Sequence, residues 1–175
     1  MIEKPGMDLA RIELLALDVD GVLTDGNVIL HEDGGESKSF NLLDGHGMRM
    51  WQRAGLKLAW LSGRASSVTS RRADQLEVAH VIQGAHFKLP AMEQLVEELA
   101  LTMETVAYIG DDLMDLPVVR RVGFGVAVAN AVDELKTHAD YVTVRAGGRG
   151  AVREVIELIL KDSGKWPSLM ERYLA

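Results

Sequence analysis

Leu17-Asp18-Val19-Asp20-Gly21-Val22-Leu23-Thr24-Asp25-Gly26 ends the apolar run 14–17 with two carboxylates two residues apart. An ionised group at the end of an apolar strand is costly to bury without a partner. In extended backbone, residues two apart face the same side, so Asp18 and Asp20 can address one ligand. An acidic turn alone has the same appearance. A calcium loop of the EF-hand type starting at Asp18 needs Gly at its sixth position and Glu at its twelfth; Leu23 and Ile29 stand there. The same unit, an apolar run followed by small or acidic residues and then an amphipathic stretch, recurs along the chain. Runs 58–61, 78–82, 106–109, 124–129 and 141–144 repeat it, and helical periodicity follows Pro90, with Met92, Leu95, Val96 and Leu99 on one stripe. Pro90 suits a first helical turn. Alternating strands and helices predict an α/β fold: an open, Rossmann-like parallel sheet flanked by helices on both faces.

One segment departs from this rhythm. Residues 27–30 and 37–41 flank His31-Glu32-Asp33-Gly34-Gly35-Glu36, the pattern of a β-hairpin around a glycine-containing loop. Ligands of open α/β sheets bind at the carboxyl ends of the strands, so a hairpin leaving just after Asp18 is expected to overhang the site as a flap over residues 27–41. A plain surface hairpin fits the spacing equally well.

Gly110-Asp111-Asp112-Leu113-Met114-Asp115 follows the apolar run 106–109. Clustered carboxylates repel, which points to a bound cation or a flanking Lys, although Asp is also a good helix cap. Carboxylate oxygens are hard ligands suited to Mg²⁺. The five scattered His offer no zinc spacing. Ser62-Gly63-Arg64 precedes a helical pattern running through Leu76, so its hydroxyl and the first N–H groups can hold phosphate oxygens, although Ser-Gly before a helix is usually a cap. Lys88 follows Gly84 at the next strand-to-helix junction. A lone Lys is commonly a solvated cation, but a site holding several aspartates is short of positive charge.

The bulk properties narrow the classes. The 175 residues fit one domain, 1–175, and 47% hydrophobic and 26% charged residues are ordinary for a globular protein. A net charge of −7 argues against general binding to nucleic acid or anionic membrane. With no Cys, disulfides and thiolate metal sites are excluded. The charged start, interrupted by Pro5 and Gly6, lacks a signal-peptide core, and no run reaches membrane-spanning length. A cytoplasmic protein is expected.

Taken in order, D-x-D-G-V-L-T-D-G, L-S-G-R, a lone Lys and G-D-D-x-x-D, each after a predicted strand between Asp18 and Asp115, resemble the haloacid dehalogenase superfamily of aspartyl phosphatases. Asn41-Leu42-Leu43-Asp44-Gly45-His46-Gly47, Arg49, Gly84 and the late stretch from Gly147 to Glu154 narrow the resemblance to the 3-deoxy-D-manno-octulosonate 8-phosphate phosphatase family. That resemblance implies a Mg²⁺-dependent phosphomonoesterase of lipopolysaccharide precursor synthesis. Asp18 is then the nucleophile and Asp20 the acid–base. Mg²⁺ is held by the Asp18 side chain, the Asp20 carbonyl and Asp111, while Ser62 and Lys88 bind phosphate oxygens. Asp112 and Asp115 orient these groups. Substrate contacts are expected from Asp20, Asn41, Leu42, Leu43, Asp44, Gly45, Arg49, Gly63, Arg64, Arg72, Lys88 and Arg149. Arg49 and Arg72 can equally lie on exposed helix faces. Only the hairpin separates Asp20 from Ser62, so no cap domain fits. The resemblance therefore implies a homotetramer in which a neighbouring subunit supplies the lid, with the C-terminal segment 145–175 reaching a site.

Three other readings stand beside this one. A phosphatase of a nine-carbon keto-sugar acid 9-phosphate is disfavoured by Arg64, where such relatives carry Glu. A phospho-accepting receiver domain shares the residue types, but its acidic pair comes first and it lacks the carboxylate that Asp20 supplies. A catalytically silent interaction domain is the third.

Overall fold

In the computed structural model, residues 8–174 are described. The chain start read above as charged and broken at Pro5 and Gly6 lies outside them. The elements run β1 (Leu14–Leu17), β2 (Ile29–Leu30), β3 (Glu36–Ser37), α1 (Leu42–Arg53), β4 (Lys57–Leu61), α2 (Ser67–Gln75), β5 (His80–Ile82), α3 (Lys88–Glu98), β6 (Val106–Gly110), α4 (Leu116–Val119), β7 (Phe124–Ala127), α5 (Asp133–His138), β8 (Tyr141–Val142), α6 (Ala151–Asp162) and α7 (Trp166–Leu174). Six strands form one parallel sheet in the order β5-β4-β1-β6-β7-β8, and β2 and β3 form a separate antiparallel pair. Every residue of β1, β6 and β7 is buried. Burial on both faces explains why these strands read as continuous apolar runs rather than alternating ones. Trp51, Trp60, Tyr108 and Phe124 are fully buried at the centre, and α1 packs along α6.

The topology positions the site. From β1 the chain builds outward through β4 and β5, then crosses back to lay β6 on the other flank of β1. The crevice outside the carboxyl ends of β1 and β6 is thus a topological switch point, where open α/β sheets bind ligands. Leu17 pairs with both Trp60 and Ile109, so the residues after β1, β4 and β6 leave the sheet at one level. Asp18 N–H still bonds the Ile109 carbonyl at 3.0 Å.

Some boundaries differ from the sequence reading. The hairpin is present, but only Ile29↔Ser37 and Leu30↔Glu36 pair. The expected second arm, 37–41, leaves the ladder because Lys38 turns inward and Asn41 caps α1, its Oδ1 accepting the Leu43 N–H at 2.8 Å. Helix α2 begins only at Ser67, with Ser66 as its cap. Ser62, Gly63 and Arg64 are therefore a loop upstream of that helix, not its first turn. The segments expected at 124–129 and 141–144 are shorter strands, and the helix from Ala151 runs to Asp162. Among the described residues no helix is long and apolar enough to cross a membrane.

Candidate active site

A cleft of about 320 Å³ opens at the switch point, lined by Asp18, Asp20, Ser62, Gly63, Arg64, His86, Lys88, Asp111, Asp112, Met114 and Asp115. The loop after β1 owes its shape to Thr24, whose buried Oγ1 accepts the N–H groups of Gly21 and Gly26, each at 3.2 Å. Gly21 has φ +94°, and a Cβ there would stand 1.9 Å from Asp111 Oδ2. Only glycine combines that backbone with that approach.

The centre is a buried charge network. Lys88, the first residue of α3, places Nζ 2.9 Å from Asp18 Oδ1 and 2.5 Å from Asp115 Oδ1. Carboxylate oxygens of Asp18, Asp111 and Asp115 lie within 4.8 Å of one another. Burial, reinforced by Asp115 and opposed by Lys88, pushes the Asp18 carboxyl up to about 6. Burial and the charges of Asp18 and Asp115 push Asp111 up to about 8. Burial pulls the Lys88 ammonium down, but Asp115 and Asp18 more than offset this and hold it above the usual lysine range. One ammonium thus leaves an excess of negative charge between Asp18 and Asp111, as a divalent cation site requires.

Asp115 belongs to this cluster by distance but not by function as a ligand. Its Oδ1 accepts from Lys88 Nζ and from Tyr108 O–H at 2.6 Å. Its Oδ2 accepts the N–H groups of Asp111 at 2.9 Å and Asp112 at 3.2 Å. Four donors leave no lone pair aimed at a metal, so Asp115 orients Lys88 and the β6 loop. The donor set that fits Mg²⁺ is Asp18 and Asp111, both hard oxygen ligands with their pKa raised. Asp112 lines the cleft, its Oδ1 bonded to the Leu113 N–H at 2.7 Å.

The catalytic set expected from the sequence converges here: Asp18, Asp20, Ser62, Lys88 and Asp111, together with Gly63 and Arg64. The remaining expected substrate residues do not reach the cleft of their own chain. Asn41 caps α1, and Leu42 and Leu43 are exposed at its start. Asp44, 1% exposed, accepts the Gly150 and Arg153 N–H groups at 3.1 and 2.8 Å and so caps α6. Gly45 sits against the Arg72 guanidinium, which stacks over Phe40 at 5.8 Å and bonds Gln75. Arg49 pairs with Glu77 at 2.7 Å. Arg149 is mostly exposed, 4.0 Å from Asp25. Asn41, Asp44, Arg49, Arg72 and Arg149 thus make helix-capping, ion-pair or stacking contacts behind or beside the cleft, although Arg72 Nε is buried without a hydrogen-bond partner.

Sequence reasoning missed Lys38. Its side chain is fully buried, with Nζ 2.7 Å from Asp20 Oδ1 and 3.2 Å from Thr69 Oγ1. It also missed Glu36, which accepts from Ser66 O–H and from Arg64 at 3.1 Å, and the cleft walls His86 and Met114. The only signal for Glu36 and Lys38 was their place at the base of the hairpin.

Residues 59–156 match the family model of haloacid dehalogenase-like hydrolases. Over 155 residues the chain is 48% identical to the 3-deoxy-D-manno-octulosonate 8-phosphate phosphatase KdsC of Salmonella typhi, covering 89% of this chain and 82% of that protein. The crystal structure of 3-deoxy-D-manno-octulosonate 8-phosphate phosphatase from Moraxella catarrhalis, in complex with magnesium ion, phosphate ion and KDO, superposes with a TM-score of 0.93 at 42% identity, covering 95% of each chain. That of the Yersinia pestis phosphatase gives 0.90 at 44% identity, over 91% of this chain and 86% of the other. These likenesses remove the receiver and silent-domain readings, and with the Asp18–Lys88–Asp111 geometry they lead to one assignment: the chain belongs to the haloacid dehalogenase-like hydrolases, within the family of 3-deoxy-D-manno-octulosonate 8-phosphate phosphatases.

Proposed function

We propose that this chain hydrolyses 3-deoxy-D-manno-octulosonate 8-phosphate to the free sugar acid and phosphate, as a step of lipopolysaccharide precursor synthesis in the cytoplasm. The observation that carries the chemistry is the convergence of Asp18 and Asp111 around one cation-sized space, with Lys88 bridging Asp18 and Asp115. Near-half identity to phosphatases of that substrate supports the choice of sugar.

In the first step a carboxylate oxygen of Asp18 attacks phosphorus as the bond to the sugar oxygen breaks, and Asp20 gives that oxygen its proton. In the second, Asp20 takes a proton from water, which displaces phosphate and restores Asp18. Splitting one hydrolysis in two lowers each barrier, and acid–base help is worth about 10²–10⁴-fold. Lys88 Nζ holds the attacking carboxylate and, with the Ser62 hydroxyl, faces the equatorial phosphate oxygens where charge develops. Ser62 Oγ accepts the Arg64 N–H at 3.2 Å, which leaves its own proton to donate. Asp18, Asp111 and the Asp20 carbonyl would hold Mg²⁺, which would supply the charge that cancels repulsion between carboxylate and phosphate.

Residues 1–175 act as one domain, with 27–41 as a flap and 145–175 as the C-terminal segment. The cleft is open, and residues 41–45, Arg49, Arg72 and Arg149 lie outside it. A homotetramer in which neighbouring subunits bring exposed residues of this set, such as Leu42, Leu43 and Arg149, over the sugar accounts for both facts. Exposed Ile29, Leu30, Leu42, Leu43 and Phe87 supply apolar contact area for it.

A phosphate-release assay on eight- and nine-carbon keto-sugar acid phosphates, with and without Mg²⁺, tests the proposal. Mg²⁺-dependent release favouring the eight-carbon substrate is expected; no Mg²⁺-dependent release from either excludes it. Light scattering tests the assembly, with a mass near four 19.2 kDa chains expected.

A further inference from the structure

The geometry points to Lys38 as the residue that sets the orientation of Asp20, tying the hairpin to the acid–base step. This inference rests on the acid–base role of Asp20 given above.

Lysine is almost never fully buried unless it is paired. The hairpin strand β2 and its turn are exposed, yet the Lys38 side chain just beyond β3 is 0% exposed. Its Nζ meets Asp20 Oδ1 at 2.7 Å and Thr69 Oγ1 at 3.2 Å, Thr69 being fully buried in the first turn of α2. Arg64 Nη1 lies 3.9 Å from Asp20 Oδ2, beyond hydrogen-bond reach, and neither Asp20 oxygen is hydrogen-bonded, so the contact with Lys38 is an ion pair. The two oxygens differ in how near a cation stands, 2.7 Å for Oδ1 and 3.9 Å for Oδ2. Oδ2, on the Arg64 side of the cleft, is left the freer oxygen to meet the leaving group.

Orientation matters because the last torsion of Asp is broad, while a general acid must come within about 2.6–3.2 Å of the oxygen it protonates. The buried Lys38 ammonium, 2.7 Å from Oδ1, restrains that freedom through the ion pair. Two residues upstream, Glu36 accepts from Ser66 O–H and Arg64. The base of the hairpin is thus fastened to the loops after β1 and β4 at once, and lifting it withdraws the ammonium from Asp20. A purely structural role for Lys38 would hold the hairpin down without distinguishing between substrates.

The test compares kcat/KM on the sugar phosphate, whose alkoxide must be protonated as it leaves, with kcat/KM on p-nitrophenyl phosphate, whose phenolate leaves without a proton. Lys38→Met keeps the length and removes the charge. We expect a loss of about 30-fold on the sugar phosphate with KM little changed, against about threefold or less on p-nitrophenyl phosphate. Thr69→Val, which only loosens the ammonium, should show the same contrast at smaller size, and decides the matter if Lys38→Met fails to fold. Equal losses on both substrates in these variants, or no loss on the sugar phosphate, overturn the role of Lys38. Asp20→Asn is measured alongside. If it discriminates between the substrates and the Lys38 and Thr69 variants do not, the Lys38 inference alone falls; if Asp20→Asn itself loses equally on both, the acid role of Asp20 falls and takes the inference with it.

Discussion

Gly21→Ala should separate the metal site from the fold. The new Cβ would stand 1.9 Å from Asp111 Oδ2 and 2.5 Å from its Cγ. Real Cβ contacts are essentially never under 3.0 Å, so the Asp111 carboxylate has to withdraw by about 1 Å, too far for Mg–O bonds of about 2.0–2.1 Å that tolerate little distortion. Because the obstacle is the end of a rotatable side chain, the backbone need not move to relieve it. What remains in the fold is the strain of φ +94° on an alanine, about 1–3 kcal/mol, or a fall in Tm of about 2–4 °C per kcal/mol for a chain of this size. The Mg²⁺ affinity, by contrast, should drop on the order of 100-fold. Calorimetric titration with Mg²⁺ and thermal melts with and without it read the two effects separately. A folded Gly21→Ala protein that binds Mg²⁺ within about twofold of wild type, under about 0.5 kcal/mol, refutes the claim that Asp111 holds the ion through the space Gly21 leaves open.

Three further outcomes follow from the site. Asp18 and Asp111 are raised to about 6 and about 8 from the ordinary 3.8, so in metal-free protein their contribution to stability is fully present below about pH 4 and lost as pH rises through those values. Mg²⁺ has to displace the retained proton, so its affinity should climb between about pH 6.5 and 8.5; a flat titration series contradicts this. Lys88→Met removes the cation between Asp18 and Asp115 and should cost kcat about 10²–10³-fold, with stopped-flow phosphate release as the measure; a loss under about tenfold counts against its role. Asp44→Ala deletes the cap of α6 and should lower stability by about 1–2 kcal/mol, read as a shift in the urea midpoint. An unchanged midpoint means that the Gly150 and Arg153 N–H groups find other partners.

The parallel sheet and the convergence of Asp18, Ser62, Lys88 and Asp111 were legible because a parallel sheet sends every strand end to one edge. Motifs that each follow an apolar run must therefore meet. What escaped was set by tertiary contact. Lys38 carries no periodicity, and its burial follows from a hairpin folding over Asp20. The roles of Asn41 and Asp44 as caps of α1 and α6 within the chain were not foreseen beside their expected substrate role. The Asn41 cap had a local signal, an Asn directly before an apolar helix start. Asp44 had none, since it caps a helix that begins over a hundred positions later. Ser62 was placed at a helix start because Ser-Gly suits one, but Ser66 won that place, its Oγ accepting the Thr69 N–H.

The last acidic motif ends at Asp115, yet the loop that carries Asp20 and Gly21 is backed by residues much later in the chain. A Cβ on Gly147 would lie 1.7 Å from the Gly21 carbonyl oxygen, and one on Gly148 2.5 Å from the Thr24 carbonyl carbon. The Gly148 N–H closes the seam on the Val22 carbonyl at 2.9 Å. During synthesis, a ribosome that has already released every reacting carboxylate still holds an unfinished enzyme. The nascent chain becomes competent only when this glycine wedge emerges and α6, capped by Asp44, locks it down.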